Sequence, residues 1–150
     1  MISLKNKMLL TVLTVLCYDV WFYLSHIILH TKYMWCYHQQ HHRPKTSILT
    51  YKEAYNSSIV EMLFQSLGVL VPLFFMELLF GQFLLALVYL NIRGMLRHEP
   101  RAAWLIGNHH LIHHQNPSVN YGEYWLDKLF GTSLISNDNN GQLGASAHTV

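Results

Sequence analysis

Between Ile59 and Ile92 the chain runs for thirty-four residues with only Glu61 and Glu77 charged. A helical crossing of a bilayer takes ~20 residues at ~1.5 Å each. This stretch is too long for one span and suits a helical hairpin of two. Its bend falls either at Pro72 or in the Glu77–Gln82 stretch, which holds Gly81. A hairpin crosses twice and returns to the side it left. The polar and aromatic flanks, 31–57 and 93–130, therefore share one face and can build one site.

A second apolar run, Met8–Leu29, precedes the hairpin. It begins like a signal peptide, but Asp19 interrupts it, and bulky Trp21, Phe22 and Tyr23 stand where a small-x-small cleavage site belongs. It reads as a retained membrane helix. Lys32, Arg43, Lys45, Lys52, Arg93, Arg97 and Arg101, seven of the ten basic residues, flank the hairpin on one face. The positive-inside rule makes that face cytosolic. Lys5 and Lys7 oppose this if the first run crosses fully, and agree with it if the run only dips into the bilayer. The expectation is an all-α, multi-pass integral membrane bundle over 1–132, with a polar tail, 133–150, expected to be disordered. A net charge of +2 is too small to argue for nucleic acid. Cys17 and Cys36 have no spacing that suggests a disulfide framework or a metal site.

The eleven histidines are the compositional outlier. Asp19, Tyr23, His26 and His30 follow spacings of 4, 3 and 4, which place them on one helical face. A charge at membrane depth costs ~2.5–3.5 kcal/mol even on lenient scales, so this stripe needs partners. Taken alone it reads as polar lining of helix contacts. The sequence then spells His-x-x-His-His twice, as His38, His41, His42 and as His110, His113, His114, with His98 between them. Each triplet puts three imidazoles on one face if helical. Nitrogen-only donors disfavour Ca²⁺ and Mg²⁺ and suit Fe, Zn, Cu or Ni. Nine imidazoles exceed what one ion takes and supply two metals with four or five each. Asp19 is positioned to accept the second ring N–H of a ligand. His109 points ~100° away from the second triplet, beside the site or outside it. Glu61 and Gln65, one turn apart, read as partners of a ligand or as helix-contact residues. Asn116 is placed to hold a triplet residue or a metal-bound water.

These residues resemble the histidine boxes of the fatty acid hydroxylase / sterol desaturase superfamily: HxxxH at His26 and His30, then HxxHH twice. DVWFYLSHIILH is similar to the family's first helix, and NYGEYWLDKLFGT (Asn120 to Thr132) to its C-terminal signature. The likeness covers about 15–132. It implies a membrane-bound di-iron oxygenase, an oxidoreductase that hydroxylates or desaturates a sterol or fatty acyl chain with O₂. Electrons would come from cytochrome b5 or a reductase, because no haem, flavin or nicotinamide motif is present. It further implies two iron ions, with zinc able to replace them on isolation, held by His26, His30, His38, His41, His42, His98, His110, His113 and His114. Asp19, Tyr23, Glu61, Asn116 and His109 would support those ligands. An endoplasmic reticulum location would follow in a eukaryote. Relatives often carry one more histidine, where this chain has Ser58 or Gly94, and many are longer. A homodimer, or a shortened inactive relative binding lipid or structural zinc, is the alternative expectation.

Overall fold

A computed structural model describes residues 4–43, 49–75, 77 and 79–134. Residues 135–150, most of the expected tail, lie outside them. The described residues are helical, without strands. Helix α1 spans Leu4–Leu29, α2 Trp35–His38, α3 Ile59–Ser66, α4 Phe80–His98, α5 Ala103–Ile106, α6 His109–Gln115 and α7 Tyr124–Phe130. Short 3₁₀ turns at Tyr51–Tyr55, Leu67–Val69, Val71–Phe74 and Pro100–Ala102 join them.

Helix α1 has two unlike faces. Leu9, Val12, Leu16, Val20, Leu24 and Ile28 recur every three or four residues and are exposed. Thr14, Asp19, Tyr23, Ser25, His26 and Leu29 are buried. In a water-soluble helix the apolar stripe faces inward; here the polar stripe does. Thr14 satisfies its hydroxyl locally, donating to Leu10 O at 2.8 Å. Helices α3 and α4 and the turns at 67–69 and 71–74 pack on α1, and the 51–55 turn packs on α4.

The hairpin differs from the expectation. Ser58 caps α3, its hydroxyl accepting from Glu61 N–H at 3.1 Å. The α-helix then tightens at Leu67 into 3₁₀ turns, with Pro72 at the start of the second. The segment Ile59–Val69 is therefore much shorter than a crossing. Helix α4 begins at Phe80, so Gly81 lies inside it. Helix α4 ends in Arg93, Arg97 and His98, all turned toward α1 and the site. Among the described residues one helix, Asn6–Leu29, is long and apolar enough to cross a membrane.

The C-terminal segment closes back on α1. Tyr23 stacks on Phe130 with ring centroids 5.2 Å apart, and its hydroxyl lies 3.0 Å from Thr132 Oγ1. A Cβ at Gly122 would come within 2.8 Å of the Tyr23 ring, so only glycine permits this approach. Asn120, with φ of 59°, turns the loop, and its amide oxygen accepts from Leu134 N–H at 2.7 Å.

Candidate metal centre

The nine box histidines meet at the centre of the fold in two adjoining clusters. His26, His30, His38, His42 and His113 form one; His41, His98, His110 and His114 form the other. Within each, one ring nitrogen per residue lies within 4.8 Å of all the others. Neither triplet stays together. The first straddles a helix end: His38 closes α2, while His41 and His42 lie in the turn beyond it. His38 and His42 then serve the five-histidine cluster and His41 the other. From α6, His113 joins the five, and His110 and His114 join the four. Each triplet thus supplies both clusters, and the rings of His42 and His114 sit 4.8 Å apart at the boundary.

The hydrogen bonds behind the rings set their tautomers. Nδ1–H of His26 donates to Tyr121 O, of His113 to Val119 O at 2.6 Å, of His98 to Gly94 O at 2.8 Å, and of His41 to Asn56 O at 3.3 Å. His38 Nδ1 lies 2.9 Å from Glu61 Oε1, an ion-pair distance whose angle falls short of a good hydrogen bond. With the proton on Nδ1, each Nε2 carries a lone pair. Yet Nε2 of His41 is 3.1 Å from that of His98, and in both rings Nδ1–H is bonded to a backbone carbonyl. These are acceptors facing acceptors, so no hydrogen bond explains the approach. A shared cation does. Nitrogens ~2.0–2.1 Å from an ion and ~90–110° apart sit ~2.9–3.4 Å from each other. The residues therefore fit metal binding through Nε2.

Neutral imidazoles are what a metal needs, and the site keeps them neutral. Burial, then His41, His42 and His113 as neighbours, holds His38 down at about 2. Burial does the same to His114, also about 2, to His30 at about 2, and to His42 at about 3. His113 is lowered less, to about 4, because the bond to Val119 O favours its charged form.

The supporting residues differ from expectation at several points. Asp19 does not face an imidazole. It pairs with both terminal nitrogens of Arg93, which also reaches Glu123 Oε1 at 3.0 Å; Arg97 contacts the same Glu123 oxygen. A buried acid in α1 takes the strongest donor opposite it, and α4 supplies a guanidinium. Asn116 has its Oδ1 engaged elsewhere, accepting from Ser118 N–H at 3.3 Å. A residue at a helix C-terminus finds its own next turn first. Tyr23 clamps the 120–132 segment and touches no ligand nitrogen. His109 belongs to neither cluster; its Nε2 lies 2.9 Å from Asp127 Oδ2. Glu61 is buried, with its carboxylate against the box residue His38.

Asp127, given no role by the sequence reading, is the hub of the C-terminal loop. Its side chain is fully buried. Oδ1 accepts from Tyr121 N–H at 2.8 Å and from Thr132 Oγ1 at 2.6 Å; Oδ2 accepts from Gly122 N–H at 2.8 Å and from His109. This fixes the loop whose carbonyls, at Val119 and Tyr121, orient His113 and His26. Its place in the signature motif was the available signal. The backbone carbonyls that do the orienting have none, because any residue type provides one.

A family model described as fatty acid hydroxylase matches residues 11–132. Compared with curated proteins and with solved structures, the chain gives no match. The family is one of lipid-hydroxylating and desaturating oxidoreductases with di-iron centres, and it is membrane-associated. With all three boxes and the C-terminal signature inside the matched span, this chain belongs to the fatty acid hydroxylase family.

Proposed function

We propose that the protein is a membrane-bound di-iron oxygenase that hydroxylates or desaturates a lipid. One observation carries the reading: nine imidazoles converge as clusters of five and four, with several Nε2 lone pairs pre-aimed at shared points. Two ions held by these residues would supply O₂ activation and removal of a hydrogen from an unactivated carbon. Hydroxylation consumes O₂, two electrons and two protons, giving the alcohol and one water. Desaturation consumes the same and gives the alkene and two waters. The electrons come from outside the chain, from cytochrome b5 or a reductase.

The chain's own residues supply the rest. The carbonyls of Asn56, Gly94, Val119 and Tyr121, with Glu61, hold the rings in the tautomer that leaves Nε2 free. The Asp19–Arg93–Glu123–Arg97 network ties α1, α4 and the start of α7 around the site. The exposed apolar stripe of α1, continued by Leu63, Leu67, Leu84 and Val88, supports immersion in a bilayer. The shared flank of basic residues supports a cytosolic site, at the endoplasmic reticulum in a eukaryote. The four-histidine cluster also matches tetrahedral zinc, so a structural-zinc relative is the second reading.

Metal analysis of detergent-purified protein tests this, beside His113→Ala and His41→Ala. Two irons per chain are expected, His113→Ala losing mainly the five-histidine ion and His41→Ala mainly the other. Expression in cells should yield an oxidised lipid that both variants fail to make. Stoichiometric zinc that iron cannot replace, with no oxidised lipid, refutes the enzyme and supports the second reading.

A further inference from the structure

Two cavities meet on the α4 side of the metal centre. The inner one, about 90 Å³, is bordered by His26 of one cluster and His41, His98 and His110 of the other. The outer one, about 240 Å³, is lined by Val69, Leu87 and Asn91, with no charged residue. Tyr18, Ala54, Leu90 and Gly94 line both, so one wall is continuous from the outer chamber to the rings. Leu67, Leu70, Leu84 and Val88, beside the outer lining in sequence, are exposed apolar side chains. The outer chamber therefore opens among the residues that face lipid.

We propose that the two cavities are one substrate path, entered from the lipid-facing side between α1, α3 and α4, and that Gly94 sets its bore, admitting a linear hydrocarbon chain and rejecting a fused-ring lipid.

This rests on the oxygenase reading and deepens it by naming the substrate class. Gly94 sits in the interior of α4, where glycine weakens a helix and alanine would strengthen it. No packing demands it: a Cβ there meets nothing within 4 Å. Gly94 itself lines both chambers. The inner chamber's 90 Å³ is smaller than the ~150 Å³ of a cavity that holds one benzene ring. It takes a few carbons of an extended chain beside the rings and is too small for a fused-ring nucleus. The arginines at its wall are paired, Arg93 with Asp19 and Glu123 and Arg97 with Glu123, and Glu61 lies against the neutral His38 ring.

The test uses full-length, metal-loaded protein in detergent with a fluorescent conjugated-tetraene fatty acid as probe. Wild type is expected to bind it, with hexadecan-1-ol displacing it at least tenfold better than cholesterol. Gly94→Leu is expected to weaken probe binding at least tenfold and Gly94→Ala about threefold, both with wild-type metal content. Equal displacement by cholesterol, or unchanged probe affinity in Gly94→Leu, overturns the proposal. If Gly94→Leu loses its metal, Gly94→Ala decides, and wild-type affinity in it overturns the bore assignment. Absence of metal from wild type strikes the oxygenase reading itself. Two metals with no probe binding strikes only the path.

Discussion

Replacing Asp127 by asparagine should separate the two clusters. The carboxylate accepts four hydrogen bonds, from Tyr121 N–H, Gly122 N–H, Thr132 Oγ1 and His109. Asparagine keeps the shape but turns one oxygen into a donor. Whichever way the amide sits, its NH₂ faces one backbone N–H it cannot bond, while Thr132 Oγ1 or His109 Nε2 can turn to accept, so one bond is lost along with the charge. A bond to a charged acceptor contributes ~1.5–3 kcal/mol, so the expected loss is about 2–3 kcal/mol. That is a sizeable part of the ~5–15 kcal/mol of a typical domain. At this chain length it lowers Tm by roughly 5–10 °C. The effect on metal should be asymmetric. Asp127 holds the loop whose carbonyls orient His26 and His113, both in the five-histidine cluster. The four-histidine cluster draws its orienting carbonyls from Asn56 and Gly94, elsewhere in the fold. Loss of such support typically weakens metal binding ~10–100-fold. The assay is metal content after dialysis against chelators of graded strength, with a thermal melt alongside. One ion should leave at about 10–100-fold milder chelation than in wild type, and the other should stay. Wild-type chelator resistance for both ions, with Tm within a few degrees, would refute the assignment of Asp127 as the loop's anchor.

Glu61→Gln should weaken only the five-histidine ion, again by ~10–100-fold, because the amide is a poorer partner for His38 Nδ1–H; equal loss from both clusters would contradict the geometry. Arg93→Met should destabilise the fold by ~3–5 kcal/mol by stranding Asp19. Arg93→Met with Asp19→Asn should recover part of that, and a double-mutant cycle in denaturant reads the coupling directly. Acid should release metal and then unfold the chain. His30, His38, His42, His113 and His114 have folded values of about 2 to 4, below their ordinary 6.5. The unfolded chain binds more protons below ~6.5, so stability is present above that pH and falls as pH drops toward the folded values. At pH ~5.5 each residue contributes about 1.4 kcal/mol of destabilisation, on the order of 7 kcal/mol for the five together. A titration by circular dichroism and metal release that is flat from pH 7.5 to 5 would contradict this.

What the sequence made legible follows from how specific each residue type is. Imidazole clusters have few uses, so a convergence of the nine histidines in sets of four or five could be read from spacing. Their division between clusters could not. The first triplet was expected on one helical face, but α2 stops at His38 and the backbone turns, sending His41 to one side and His42 to the other. The length of the first apolar helix after Ile59 was not legible for a related reason. Hydropathy saw Ile59–Ile92 as uniform, while Pro72 and the tight turns around it shorten the first arm. Arg93 and Arg97 lie just past or at the end of the apolar run, where they read as flanking charges. In the fold they are interior, paired with Asp19 and Glu123 across gaps of 74 and 30 positions or less in sequence. Long-range pairing of that kind leaves no local pattern.

The composition of the interior explains why this arrangement would depend on bound ions. Among the described residues nine apolar side chains are buried, against fourteen polar or charged ones. Burial of apolar surface, at ~25 cal/mol per Å², normally offsets the loss of chain entropy, but much of this chain's apolar surface points outward. Immersed in lipid, that outer surface stabilises the position in the bilayer and does little to hold the helices together. The interior must therefore be held by polar contacts, and these divide into two kinds. The Arg93 and Asp127 networks are internally paired and stabilise on their own terms. The Nε2 lone pairs of His41 and His98 face each other at 3.1 Å, and a cation between them would turn that repulsion into attraction. On the proposed reading, metal binding is a folding interaction as well as a catalytic one. Helices α1, α2, α4 and α6 all bring ring nitrogens to the clusters, so stripping bound ions is expected to loosen them together.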